Sequence, residues 1–342
     1  MKNKWKQLLV VLILLGFGIT VGYFIKEEKK SAARNLFAMD TYMEITAYGR
    51  NSEAAVEASA EEIRRLEALL STGDETSEIA MLNRDKKREL SKDSVYLLKR
   101  SMELWEATGG TFDITIYPVM EAWGFAGKNF RVPTQGELDD LLTYVDASKI
   151  QFEEETNMVI LPEQVKIDFG GIAKGYTSAR IAQIMEDYHI ESAKINLGGN
   201  VQTVGTKADG SAWRIAIKSP DDTLPYLGII SVEDKAVITS GGYERYFEEE
   251  DVVYHHIINP KTGKPAQSGL VSVTIVCEDG TLGDGLSTAL YVLGKDEAIA
   301  FWREHSEEFD AVLLDDAGML YVTEGLKDSF TAETEYEIVY RK

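Results

Sequence analysis

The sequence predicts one α+β domain with a mixed or antiparallel sheet and flanking helices, carried behind an N-terminal transmembrane segment. Three observations lead there. The chain has 342 residues, 44% of them hydrophobic, enough to bury one large core and too apolar for disorder. Its first thirty residues differ in kind from the rest. After them, short alternating stretches are interleaved with stretches of helical period, with no internal repeat, low-complexity tract or long linker.

Lys2, Lys4 and Lys6 precede an uncharged run from Leu8 to Ile25, and charge resumes at Lys26–Lys30. Eighteen helical residues span roughly 27 Å, about the thickness of a bilayer's hydrocarbon layer. Residues 1–30 therefore read as a signal anchor, with the lysine-rich start in the cytoplasm and the remainder outside at the cell membrane. A cleaved signal peptide is the rival reading, with Ser31, Ala32 and Ala33 as small residues near the boundary. Residues 1–30 carry a net +4, which leaves −25 for the rest of a chain whose total is −21. Such a surface repels nucleic acid and anionic headgroups, so a phosphate ligand would need a local cation. Cys277 is the only cysteine, which excludes an intramolecular disulfide and a cysteine-based metal site.

Residues 31–35 read as a linker, and the domain is expected over 36–342. Alternation predicts a strand over Leu36–Tyr48. Two amphipathic helices are predicted at Glu53–Leu70 and Asp93–Thr108, joined by a polar loop with Ser71, Glu78 and Asn83. Met158–Ile167 reads as a strand ending at Asp168, with Gly170 and Gly171 leading into a helix over Lys174–Tyr188. Strands follow around Ser192–Leu197, Trp213–Lys218, Gly228–Ile238, Val253–Ile258 and Val271–Val276. Helices at Asp284–Leu293 and Asp296–His305 precede a last hairpin, Ala311–Leu314 with Leu320–Thr323.

Five stretches have residue types that suit chemistry, and each has a plainer reading. Asp168-Phe-Gly-Gly-Ile-Ala-Lys174-Gly175 joins an acid, two glycines and a lysine where a strand feeds a helix. It is neither a dinucleotide-binding nor a Walker sequence, and it suits either a ligand loop or a structural turn. Asp284, Ser287 and Thr288, three and four residues apart, would meet near the start of a helix. Oxygen ligands suit Mg²⁺, and an ordinary Asp N-cap would look the same. Asn196-Leu-Gly-Gly-Asn200 fits a close backbone approach or a tight turn. His255 and His256 alternate on a strand, so at most one of them can enter a given site, and a satisfied structural histidine is the plainer reading of either. Thr111-Phe112-Asp113, with Trp123 and Phe125 downstream, sets an acid beside aromatics, as a flavin pocket or a buried corner would.

Taken together, the order and wording of these motifs resemble the ApbE family of FAD:protein FMN transferases over roughly residues 36–325. The resemblance runs through Met39-Asp40-Thr41, Ser71 with Ser77-Glu78 and Leu82-Asn83, Gly110-Thr-Phe112-Asp113-Ile-Thr115, and Asp168 to Gly175. It continues through Asn196 to Asn200, Thr239-Ser240-Gly241, His256 to Gly263, and Asp284-Gly-Leu-Ser-Thr288-Ala. It implies an ApbE-like fold and Mg²⁺-dependent transfer of FMN from FAD to a threonine hydroxyl of an acceptor protein, with release of AMP. By that similarity Met39, Thr111, Phe112, Asp113, Asp168, Lys174 and Ile258 would line the FAD site. The Gly171 carbonyl, Asp284, Ser287 and Thr288 would hold Mg²⁺. Two positions depart from the pattern: Gly73 stands where many members carry an aromatic residue near the flavin, and Asp40 where glycine is common.

In that chemistry a hydroxyl attacks the FMN-side phosphorus while AMP leaves. Mg²⁺ on Asp284 and Thr288 would neutralise the developing charge, and His256 would accept the threonine's proton. The acceptor carries a D-x-x-S/G-A/G-T-like segment, an extracytoplasmic electron-transfer protein being the natural partner. This chain has no good copy of that segment, so its target is another protein. Two rival functions remain beside this one: a Mg²⁺-dependent FAD pyrophosphatase, with water in place of threonine, and a surface-anchored flavin-binding protein without catalysis.

Overall fold

The computed structural model describes residues 30–220 and 224–342. The expected membrane segment lies outside the described residues. Among the described residues no helix is long and apolar enough to cross a membrane.

A nine-stranded sheet forms the centre. Its strands are Ser31–Ala38, Thr41–Tyr48, Ser192–Leu197, Asn200–Gly205, Ala236–Gly241, Leu270–Cys277, Phe309–Asp315, Leu320–Thr323 and Tyr336–Val339, and their spatial order follows the chain. Neighbours are antiparallel except the last pair, which is parallel, so the sheet is mixed as expected. Alternation along the strands builds two cores. Ile238 and Ile275 face the helices, whereas Val237 and Val276 face a small sheet of Trp213–Ile217, Gly228–Val232 and Phe330–Thr331. The result is three layers: helices, large sheet, small sheet.

The helical layer comes mostly from the long excursion between Tyr48 and Ser192. Helix Ser52–Leu70 buries Val56, Ile63, Leu66 and Leu70 at helical spacing. It packs on the first two strands and on helix Ala173–Asp187, which in turn packs on helix Gly280–Leu293.

Several expectations are corrected. Residues 31–35 are no linker: Ser31–Ala38 pairs residue by residue with Thr41–Tyr48 as the sheet's edge. The single strand expected over Leu36–Tyr48 breaks at Met39 and Asp40, whose φ values of 48° and 59° make a tight hairpin turn. The left-handed conformation of Asp40 explains why glycine suits that position. The polar loop after Leu70 contains a helix, Glu78–Asp85, capped by Ser77, whose Oγ accepts from Ala80 N at 3.0 Å. Met158–Ile160 is a strand, but the extension to Ile167 is not. The Asn83 amide takes the place of a strand partner there, donating to Ile167 O and accepting from Ile167 N, both at 2.8 Å. Gly228–Ile238 divides into two strands that lie in different sheets.

Candidate functional site

Helix Gly280–Leu293 begins one turn earlier than its sequence pattern implies, with Asp279 as N-cap accepting from Thr281 N at 2.8 Å. Asp284, Ser287 and Thr288 therefore lie within the helix rather than at its start, and Asp284 does not cap it. Asp284 serves a neighbour instead. Helix Ala173–Asp187 has no side-chain cap of its own, and the buried Asp284 carboxylate accepts from its Gly175 N at 2.8 Å. The helices can come this close because both contact positions are glycines: a Cβ on Gly175 would lie 2.1 Å from Gly280 O. Burial raises the Asp284 carboxyl above the usual range, and Lys174 and the Gly175 and Lys174 amides oppose that rise.

Ser287 Oγ donates to Asp284 O at 2.9 Å and lies 2.7 Å from Ser240 Oγ, which is 3.4 Å from Thr288 Oγ1. One carboxylate and three hydroxyls thus gather on one stretch of helix and the adjoining strand. Among the described residues no group of three or more His, Cys, Asp or Glu side chains converges as a metal cage. A donor set of oxygens with a single formal charge fits a hard cation that keeps waters and takes further ligands from a phosphate substrate, as Mg²⁺ does. Gly171 sits just before helix Ala173–Asp187 with the Phe112 ring against it, 3.1 Å from where its Cβ would be.

Beside this crossing opens a cleft of 360 Å³, lined by Met39, Asp168 and Lys174 among the expected residues and by Phe37, Gly73 and Arg245 among others. Met39 N donates to Glu67 Oε1 at 2.6 Å, and Asp40 pairs with Lys128 Nζ at 2.9 Å at the surface, two contacts that hold the hairpin turn. Asp168 accepts from Gly170 N at 3.1 Å. Burial pushes its carboxyl up, opposed by the Gly170 amide and Arg245.

Four expected FAD residues are buried with structural partners. Asp113 accepts from Thr115 N at 2.8 Å, Thr115 Oγ1 at 2.6 Å and Ala147 N at 3.2 Å, capping a turn. Thr111 Oγ1 donates to Thr108 O at 3.2 Å. Phe112 belongs to the helix-side core, and Ile258 packs with Trp123 and Phe125. The structure thus brings Met39, Asp168 and Lys174 to one cleft and sets Thr111, Phe112, Asp113 and Ile258 in its supporting layer.

The two adjacent histidines separate by their hydrogen bonds. A carbonyl only accepts, so His255 Nε2, 3.1 Å from Ala266 O, carries the proton, while His255 Nδ1 accepts from Ile257 N at 3.3 Å. Both its nitrogens are occupied, the mark of a structural imidazole. In His256 it is Nδ1 that donates, to Arg245 O at 3.1 Å, which leaves the Nε2 lone pair as its basic atom. Crowding by protein, then the cations of Arg245 and Lys174, hold the His256 pKa down to about 3. The ring is neutral at physiological pH.

Sequence reasoning missed Glu244 and Arg245. Crowding by protein, helped by the nearby Asp284 charge and opposed by Lys174 and Lys218, pushes the Glu244 carboxyl up to about 6. Neither residue has a local signature, although they lie three and four residues after Gly241 of the Thr239-Ser240-Gly241 stretch. Asn196-Leu-Gly-Gly-Asn200 is a tight turn, Gly199 N donating to Asn196 Oδ1 at 2.9 Å.

The ApbE family model matches residues 39–313, most of the chain. The chain belongs to the ApbE family. Its sequence is 30% identical over 323 residues to the FAD:protein FMN transferase of Treponema pallidum, covering 88% of each chain. It is 34% identical over 238 residues to that of Vibrio cholerae, covering 68% of this chain and 71% of the relative. The crystal structure of the ApbE protein of Thermotoga maritima superposes with a TM-score of 0.82 at 33% identity, over 87% of this chain and 98% of that one. The flavin transferase ApbE of Vibrio cholerae gives 0.75 at 26% identity, over 88% and 96%. The activity is accordingly that of a flavin transferase, an enzyme that moves FMN from FAD to an acceptor protein.

Proposed function

We propose that this ApbE-family enzyme uses Mg²⁺ and transfers FMN to a threonine hydroxyl outside the cytoplasm. FAD lies in the cleft between the Met39 hairpin and helix Ala173–Asp187, its pyrophosphate toward Lys174 and Asp284. The observation that carries the reading is the division between the two histidines. His256 has a basic Nε2 beside the cationic Lys174 and Arg245, whereas both nitrogens of His255 are engaged.

Lys174 and Arg245 supply the positive charge that a strongly acidic domain must provide locally for a phosphate ligand. When the ligand's anionic phosphates offset these cations, one cause of the depressed His256 pKa is removed, and Nε2 becomes a better base in the complex than in the free enzyme. His256 then takes the threonine proton while its Nδ1–H stays on the Arg245 carbonyl, which fixes the ring's tautomer and direction. Asp284, Ser287 and Thr288 would hold Mg²⁺, which when bound stabilises the negative charge developing on the departing phosphate. The Gly171 carbonyl completes the expected ligand set. The threonine sits in a D-x-x-S/G-A/G-T-like segment of a partner, expected to be an extracytoplasmic electron-transfer protein. Residues 1–30 anchor the enzyme to the cell membrane, with residues 31–342 outside.

Mass spectrometry of a co-expressed candidate acceptor tests the chemistry: an FMN adduct on threonine is expected, abolished by EDTA. AMP release that is equally fast without any acceptor would instead favour a pyrophosphatase. Protease applied to intact cells should digest the domain, and full protection would contradict the anchoring.

A further inference from the structure

We propose that Phe37 is the flavin-stacking wall of the cleft. Four aromatic residues line it: Phe37, Tyr117, Phe125 and Phe169. Three of them are packed away, with 8%, 2% and 0% of their surface exposed, and can present no more than an edge. Phe37 is 70% exposed, so it alone offers a planar ligand a whole ring face. The position is built for this. Phe37 is on the solvent side of the edge strand, between the half-buried Leu36 and the buried Ala38, two residues before the hairpin turn that Glu67 and Lys128 hold. Its cross-strand partner Tyr42 is also strongly exposed. Gly73, elsewhere on the same lining, has no ring to offer.

The reaction also demands an open flavin site. FMN leaves this enzyme bonded to a protein, so a flavin sealed in the core could not depart with its acceptor. A rim residue such as Phe37 holds the isoalloxazine while leaving that exit free. The inference rests on the reading that this cleft holds FAD.

The full-length chain and its Phe37→Ala and Phe37→Trp variants should be titrated with FAD, FMN and AMP separately, with Lys174→Ala as a second probe of the cleft. Phe37→Ala is expected to bind FAD and FMN about tenfold more weakly or worse, and AMP as before, at unchanged melting temperature. Phe37→Trp should restore affinity and quench the emission of bound FMN. Weaker AMP binding with unchanged FMN binding would put adenine on Phe37 and overturn the proposal. So would unchanged FAD binding in Phe37→Ala. If Lys174→Ala alone weakens FAD, stacking fails and the cleft reading stands; if neither variant does, both fail.

Discussion

The helix crossing and the cleft beside it are built on opposite principles. At the crossing, where the phosphates are proposed to lie, helices meet on Gly175 and Gly280, Asp284 is buried between them, and Gly283 and Gly285 face side chains that a Cβ would meet at 2.8 Å and 2.3 Å. In the cleft, the proposed flavin site, the walls include a hairpin edge with an exposed Phe37 and a loop whose Gly73 has free space around it. The charged chemistry of phosphoryl transfer depends on fixed positions, because groups already in place need no rearrangement as charge develops. The flavin needs a broad face and a way out, which an edge strand supplies.

Two glycine substitutions sharpen that contrast most. In Gly175→Ala the new methyl would lie 2.1 Å from Gly280 O and 2.6 Å from Asp284 Cβ, so chemical denaturation should show a loss of about 3 kcal/mol or more, with transfer abolished. Gly73→Ala meets nothing nearer than Ser71 Oγ at 3.8 Å and should stay within about 0.5 kcal/mol of wild type. Equal losses would end the comparison.

Asp284→Ala comes next. It should weaken FAD binding and slow transfer on the order of 10²–10³-fold, with Thr288→Ala milder because it removes no formal charge. Metal-independent activity of the wild type would remove the basis for this expectation. His256→Asn should differ in kind: FAD binds nearly normally, while transfer falls roughly 100-fold or more. His255→Asn should keep wild-type transfer per folded molecule, since both its nitrogens serve the fold. FAD affinity and adduct formation measured on the three variants decide among these roles, and an inactive His255→Asn would reverse the assignment.

The smallest effect is a pH dependence. Glu244 titrates at about 6 near Lys174 and Asp284, so above that pH it adds a negative charge where the pyrophosphate is expected. FAD affinity in EDTA-containing buffer should therefore fall as pH rises through about 6, by about fivefold or less, and Glu244→Gln should flatten the curve. A wild-type curve already flat between pH 5 and 7 would show that Glu244 does not face the phosphates.

Local pattern was enough for the elements whose buried positions repeat regularly along the chain. Helices Ser52–Leu70 and Lys92–Ala107 and strand Ser192–Leu197 announce themselves because burial imposes period 3.6 or 2 on residues adjacent in sequence. The wording of motifs from Met39 to Thr288 likewise carried the family, and with it the substrate. What the sequence could not determine were contacts between residues far apart in the chain. The Asn83 amide standing in for a strand beside Ile167, and Asp284 capping a helix more than a hundred residues earlier, leave no periodic trace in either segment. The same holds for the histidine pair: alternation sends the rings to opposite sides, but only the Arg245 and Ala266 carbonyls decide which nitrogen stays basic. Those carbonyls lie eleven residues away along the chain on opposite sides of the pair, and only the folded backbone brings each to its ring.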